Sequence, residues 1–338
     1  MAARAATLTD VAKEAGVSLA TASRALNGSE RVVRAELHDR TLAAAARLGY
    51  TPNAQAQSMA KGSTDLVGLL VNDIADPYFS TIAAGLATAA EEHGLLVMLC
   101  STGGRPEREL ELLAALRRQR GRAIVLAGSR INDRAHLREL AAHVEPFTAS
   151  GGRVAAISEP RLPVDTVVVD NRRGAQDLAV RLAELGYRRP AVLTGPERLL
   201  VSRDRRDGFL AGWRKSADGE PVCAAEEFSR DGGVRAMHRL LDEHPDVDCV
   251  FAINDLMALG AMAACRERGV RVPQDVAVAG FDDIATLRDV TPGLTTVRLP
   301  LAEMGRMALD LVLGTEQEKP RRRKVRGEVV LRESTPGR

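Results

Sequence analysis

The sequence predicts a two-part chain: a small all-α head containing a helix-turn-helix, joined to a much larger α/β domain of two doubly wound lobes. Three observations carry this expectation. The first sixty or so residues show helical periodicity broken by one glycine-centred turn. The remainder alternates short β-branched or apolar runs with helical stretches, the order expected of parallel sheets. At 338 residues the chain also exceeds one ordinary domain of about 100 to 200 residues. The expected division is 1–51 for the head, 52–64 for a connecting segment and 65–338 for the α/β domain.

Composition narrows the function classes. Apolar residues make up 45% of the chain and charged residues 27%, which is globular and excludes a fibre or general disorder. The apolar stretches, such as 83–90 and 247–253, fall well short of the ~18 residues a membrane span needs, so no membrane partner is expected. Residues 1–14 mix Ala with Arg, Thr, Asp and Lys and hold no apolar leader core, which predicts a cytoplasmic protein. The net charge of +2 is uneven: residues 1–61 carry eight Lys and Arg against five Asp and Glu, making the small head the basic end. The basic run 321–324 is expected to be a solvated loop before the last strand.

Catalysis and metal binding find no support. Phosphate-loop, G-x-S-x-G, H-E-x-x-H and G-x-G-x-x-G patterns are absent, and His93, His136, His143, His238 and His244 are scattered along helical stretches or their ends. Cys100, Cys223, Cys249 and Cys265 never approach C-x-x-C spacing and read as free thiols. No catalytic residue, metal ion or cofactor is expected.

In the head, Thr7 caps a first helix with Asp10 reaching back as in a capping box, and Leu8, Val11, Ala12 and Ala15 repeat at helical spacing. Gly16 supplies a left-handed turn, Val17 buries in the angle between helices, and Ser18 caps a second helix at 19–26. That helix buries Ala22, Ala25 and Leu26 and turns Leu19, Ala20, Thr21, Ser23 and Arg24 outward, where a recognition helix meets base edges and phosphates.

Residues 7–28 (TLTDVAKEAGVSLATASRALNG) and 48–53 (LGYTPN) closely resemble the head of lactose-repressor (LacI/GalR) family regulators. The resemblance implies base reading by Leu19, Ala20 and Arg24. Arg24 can donate two hydrogen bonds to a guanine, whereas Leu19 and Ala20 offer apolar contact suited to a thymine methyl. Thr7, Ser18, Thr21, Ser23, Asn27 and Asn53 would hold phosphates, with Tyr50 and Gln57 in the same DNA-facing set. For Thr7 and Ser18, capping alone is an equally open role. Residues 52–60 look like the family's hinge helix, in which Met59 would wedge into the minor groove, although a plain polar linker also fits. In two respects the head departs from the family: Arg34 stands where a Ser cap is usual, and the 29–33 loop is one residue longer.

From Leu66 onward, strands are expected at 66–71, 96–100, 123–127, 154–157 and 166–169, then at 191–194, 249–253 and 276–281. Two doubly wound lobes follow, with ligands expected in the cleft at the carboxyl ends of strands. The same family's effector domain, similar in fold to periplasmic sugar-binding proteins, is resembled at 76–79 (DPYF), 169–171 (VDN), 205–209 (RRDGF), 227–228 (EF), 252–260 (AINDLMALG), 280–283 (GFDD) and 291–296 (TPGLTT). Carried over, Tyr78 and Phe79 line the cleft from the first lobe, and Arg205, Phe228, Asn254 and Asp282 from the second. These residue types suit a small polyol, sugar or nucleobase, because Arg, Asn and Asp fork hydrogen bonds to hydroxyls and aromatic faces stack on rings. Other roles stay open: helix caps for Asn254 and Asp282, an inter-lobe ion pair for Arg205, and simple core for Phe228. Trp213 is assigned to core.

The expected protein is a DNA-binding transcriptional regulator, in the repressor mould, controlled by a small effector such as a sugar. Its DNA partner would be a pseudo-palindromic double-stranded operator, read by a homodimer because one short recognition helix contacts too few bases. The chain's last residues carry no apolar heptads, so a coiled-coil tetramer is not expected. A transport binding protein is the other class sharing the two-lobed fold, and it would need an export signal.

Overall fold

A computed structural model describes residues 6–27, 33–51, 64–315 and 317–338. They fall in two compact units, Met1–Asp65 and Leu66–Arg338.

The head is three helices, α1 (Leu8–Ala15), α2 (Leu19–Asn27) and α3 (Ala35–Arg47). The capping box forms as its residues dictate: the Asp10 amide donates to Thr7 Oγ1 at 3.3 Å and the Thr7 amide donates to Asp10 Oδ2 at 2.9 Å. Gly16 ends α1 at φ +63°, a conformation that costs other residues a steric penalty. Arg40 Nη2 donates to the Ala15 carbonyl at 2.6 Å and so satisfies an open helix end. Val11, Ala15, Ala44 and Ala45 form the small core, with Val17, Leu26 and Tyr50 packed on it. Arg34, at the N-cap of α3, makes no side-chain cap bond.

The larger unit is two parallel sheets. The first has the order β11-β5-β4-β3-β1-β2, from β1 (Leu66–Val71), β2 (Leu96–Ser101), β3 (Ala123–Ala127), β4 (Arg153–Ile157), β5 (Asp165–Val169) and β11 (Arg322–Val325). The second has the order β7-β6-β8-β9, from β6 (Pro190–Thr194), β7 (Val222–Ala225), β8 (Cys249–Ala252) and β9 (Ala277–Ala279). Helices α4 (Pro77–Glu92), α5 (Pro106–Arg118), α6 (Arg134–Ala149) and α11 (Leu301–Leu313) belong to the first lobe. Helices α7 (Asn171–Glu184), α8 (Leu200–Ser216), α9 (Arg230–Glu243) and α10 (Asp255–Glu267) belong to the second. The chain crosses between lobes after β5, after β10 (Thr296–Arg298) and after β11, and β10 pairs antiparallel with β12 (Glu328–Val330). Three crossings thus connect the lobes.

The apolar runs at the centre of each sheet are buried on both faces, as parallel strands between helix layers must be. Phe209 stacks on Phe251 at 4.8 Å and on Trp213 at 6.2 Å inside the second lobe, and Trp213 is fully buried there. Gly208 allows α8 to lie against α7, since a Cβ at that position would run into the Arg172 backbone.

One segment departs from expectation. Residues 322–325 are a strand, not a loop, pairing in parallel with β5 through registers such as Lys324 with Val168. The strand is held by its backbone. Arg322, Arg323 and Lys324 are exposed, so the segment has no apolar alternation to announce it, and charged side chains on a sheet edge also discourage further pairing. Arg321 anchors its start through Asp165, donating from Nη2 at 2.6 Å.

Candidate DNA-reading face and effector cleft

On the head, Ser18 does cap α2: the Thr21 amide donates to Ser18 Oγ at 3.1 Å, and the two hydroxyls lie 2.8 Å apart. Leu19, which is 51% exposed, stands out from the first turn of α2 together with exposed Ala20, and Arg24 is exposed in its last turn, while Thr21 and Ser23 are half-buried between them. A helix start that presents open amides is suited to a phosphate, so capping and DNA contact are compatible. Asn27 is the last residue of α2, and Tyr50 packs half-buried on the head core. Asn53, Gln57 and Met59, with the whole expected hinge, lie outside the described residues.

Between the lobes lies a cleft of about 800 Å³. Its base is Arg205, projecting from α8 with only 3% exposure. Arg205 donates from Nε to Asn171 Oδ1 at 2.9 Å, from Nη1 to the Ile253 carbonyl at 2.7 Å and from Nη2 to Asp282 Oδ1 at 2.8 Å. Its guanidinium lies 3.8 Å over the Phe281 ring. A guanidinium has five N–H donors, so these bonds fix its plane and leave others for a ligand.

Asp282 sits just past β9 in a loop where Asp282 and Asp283 take φ of 117° and 56°. Left-handed backbone at a non-glycine residue costs about 1 to 3 kcal/mol and persists only when its surroundings impose it. Here they do. The Asp282 amide donates to the Val297 carbonyl at 2.8 Å, and fully buried Asp255 accepts the Ile284 amide at 2.9 Å and the Thr296 hydroxyl at 2.7 Å. Burial holds the Asp255 carboxyl well above the usual carboxylate range, reinforced by the nearby Asp282 charge. Burial likewise pushes Asp282 up to about 6, with the Arg205 charge and hydrogen bond holding it back.

From the first lobe, Asp76 caps α4 by accepting the Tyr78 amide at 2.9 Å, and burial raises its pKa. Tyr78 and Phe79 meet edge to face at 4.9 Å, and both line the cleft. Burial and the Asp282 charge keep the Tyr78 hydroxyl neutral far above its ordinary range, leaving it a hydrogen-bond donor. Half-buried Phe228 faces the cleft from the loop after β7.

Five of the six effector residues expected from the sequence thus border one cleft: Tyr78, Phe79, Arg205, Phe228 and Asp282. Asn254 does not. It is 2% exposed, and its Oδ1 accepts the Met257 amide at 2.9 Å as the N-cap of α10. The strand-to-helix junction uses its side chain, and Leu256 is the nearby residue that reaches the wall.

Sequence reasoning missed Asn72, Glu109, Ser129, Arg130, His136 and Glu159, all in the cleft wall. Ser129, Arg130 and Glu159 directly follow β3 and β4, and the rule that ligands bind at the carboxyl ends of parallel strands could have found them. Glu159 accepts the Ser129 hydroxyl at 3.0 Å and the Arg130 amide at 2.8 Å, and burial raises its pKa. The same segment joins the lobes across the cleft. The Asn132 amide donates to the Arg198 carbonyl at 2.8 Å, the Leu200 amide to the Arg130 carbonyl at 3.1 Å, and the Val201 amide to Ser129 Oγ at 3.0 Å.

Residues 7–53 match the family described as bacterial regulatory proteins, lacI family, and residues 64–332 match periplasmic binding proteins and sugar binding domain of LacI family. The HTH-type transcriptional regulator GalS of Salmonella typhimurium is 33% identical over 315 residues, covering 91% of this chain and 89% of that one. A transcriptional regulator CelR–cellobiose complex superposes with a TM-score of 0.71 at 31% identity, over 97% of this chain and 99% of that one. The lac repressor dimer bound to operator and an anti-inducer superposes at 0.85 with 25% identity, over 98% and 100% of the two chains.

Proposed function

Because the chain belongs to the lacI family of bacterial regulatory proteins and is therefore a sequence-specific DNA-binding transcriptional regulator, we propose that it is a cytoplasmic repressor whose hold on its operator is set by a sugar bound between the lobes. The observation that carries the sugar reading is the buried Arg205–Asp282 pair at the cleft base. It offers fixed donors and acceptors side by side, the arrangement that adjacent ring hydroxyls require, with the Phe228 and Tyr78 rings available for the apolar ring face. The CelR relative solved with cellobiose supports the same reading.

The mechanism follows from the connections. Arg205 and Asp282 belong to the second lobe and Asp76 and Tyr78 to the first, so a ligand that bonds both sets fixes the angle between lobes. In a dimer that angle sets the spacing of two heads on a pseudo-palindrome. In each head Arg24 reads a guanine, Leu19 and Ala20 meet thymine methyls, and Thr7, Ser18, Thr21, Ser23 and Asn27 hold phosphates. For the dimer, β2 supplies an apolar edge: Leu96 is 72% exposed, Met98 41% and Leu99 40%. A second copy covering such an exposed strand removes both its apolar surface and its unpaired edge.

The test is a thermal-shift screen of sugars on the full chain, since a ligand at 100 times its dissociation constant adds about 2.7 kcal/mol of stability. Stabilising sugars would then be assayed for release of operator DNA by fluorescence anisotropy. A screen in which nucleosides stabilise and no sugar does would reject the sugar reading.

A further inference from the structure

One wing of the cleft draws its polar side chains from the first lobe, where the loop 102–106, the first turn of α5, the end of β3 and the start of α6 converge. Three ionisable side chains stand in it. Arg130 donates from Nη1 to Glu109 Oε1 at 2.8 Å and from Nη2 to the Gly128 carbonyl at 3.2 Å. The other Glu109 oxygen lies 3.7 Å from His136 Nε2. These side chains are nearly covered, at 5% exposure for Arg130, 12% for Glu109 and 11% for His136, yet all three border the cleft.

Stability does not account for this cluster, because charges lifted out of water gain little over a well-packed apolar set. Nor is it self-satisfied: Arg130 Nε is buried without a hydrogen-bond partner among the described residues. Thr102 adds a hydroxyl to the same wing, and Pro106 and Ile131 add apolar surface. Acceptors, donors and a small apolar face together suit a neutral ring bearing hydroxyls. A phosphate is disfavoured, since Glu109 faces the wing and Asp73, Asp76 and Glu159 border the same cleft. The cleft volume of about 800 Å³ is near the upper end of the roughly 300 to 1,000 Å³ usual for small-molecule sites, and one ring at Arg205 and Asp282 would leave the wing to water.

We infer that this wing is a second sugar subsite, so that the effector is a disaccharide or longer oligosaccharide and not a single ring; the inference rests on the sugar reading proposed above. The first ring lies at Arg205, Asp282 and Asp76, where it bridges the lobes. The second lies against Glu109 and His136. Because Glu109 and His136 both belong to the first lobe, their bonds to a ring add affinity without themselves setting the lobe angle.

The experiment is calorimetry on the full chain with cellobiose, maltose, lactose, trehalose and sucrose, beside glucose, galactose, fructose and cytidine. One disaccharide is expected to bind at least about tenfold more tightly than its constituent rings. Glu109→Gln and His136→Ala should remove most of that advantage, leave the monosaccharide affinity near wild type, and leave maximal operator release at saturating disaccharide unchanged. The wild-type ratio alone tests the inference if a variant folds poorly. A monosaccharide binding as tightly as every disaccharide would overturn the second subsite and leave the sugar reading standing. Binding of cytidine with no sugar of either length, or of nothing in the panel, would overturn both.

Discussion

Arg205 Nη2 donates to Asp282 Oδ1 at 2.8 Å between side chains that are 3% and 6% exposed, from elements 77 residues apart. The pair closes the base of the cleft while one partner sits on strained backbone, so its protonation has two consequences of opposite sign. In the unfolded chain Asp282 would titrate near 3.9, whereas burial sets it at about 6 in the folded one. Its contribution to stability is therefore fully present below about pH 4 and lost as pH rises through 6, on the order of 2 to 3 kcal/mol in all.

The first prediction follows from that sign. Between pH 5 and pH 7.5 the wild type should lose about 1 kcal/mol relative to Asp282→Asn in denaturant titrations, since the amide carries no charge to bury. Asp255, raised first by burial and then by the Asp282 charge, loses the second cause in Asp282→Asn, so the difference between the two curves reports the two carboxyls together. Effector affinity should run the other way, weakening below pH 6 as the carboxylate acceptor is protonated. Parallel stability curves for the two proteins would show that Asp282 is not ionising across this range.

Arg24→Ala should weaken operator binding by about 1 to 3 kcal/mol and relax preference at one G·C pair in each half-site, while binding to random DNA changes less. Competition gels with operator and random duplexes measure both. Equal losses on the two would make Arg24 a phosphate contact.

How much of this was legible in the sequence depends on what each residue answers to. The head's caps and turn were readable because Thr7, Asp10, Gly16 and Ser18 act on neighbours a few positions away. Central strands such as Leu66–Val71 and Ala123–Ala127 announced themselves by being buried on both faces. The strand Arg322–Val325 was not readable, because its partner is a backbone 156 positions earlier and three of its four side chains, Arg322, Arg323 and Lys324, are exposed. Glu109, Arg130 and His136 escaped for a similar reason: each is an ordinary surface residue type on its own element, and only folding puts them in one wall.

Leu96→Asp should dissociate the dimer, since a charge on the most exposed apolar side chain of β2 would be buried unpaired by a second copy. Sedimentation velocity would report the shift to monomer, and operator affinity should fall with it. A dimer that survives this change would locate the interface elsewhere.

Ser129→Ala should loosen the bridge across the cleft, leaving the Val201 amide unmet and Glu159 short of one donor. The expected cost is about 1 kcal/mol in the bridged state, read as faster hydrogen exchange at Val201 and a several-fold change in the effector concentration for half-maximal release. Unchanged exchange at Val201 would mean that the other two inter-lobe bonds hold the bridge alone.

Asn254 separates a structural from a ligand-binding role most cleanly, because the two roles respond differently to a shorter side chain. Its Oδ1 accepts the Met257 amide at 2.9 Å, and it is 2% exposed where β8 turns into α10. A serine can make the same cap bond but reaches less far, whereas alanine makes none. Asn254→Ala should therefore cost about 1 to 2 kcal/mol of stability, from the lost cap and the orphaned amide, and Asn254→Ser should recover most of it. Neither should change effector affinity beyond what the stability loss explains. Chemical denaturation and calorimetry on the same preparations give both quantities. If Asn254→Ser restores stability but still abolishes effector binding, the side chain touches the ligand after all, and the α10 N-terminus must shift toward the cleft when the lobes close.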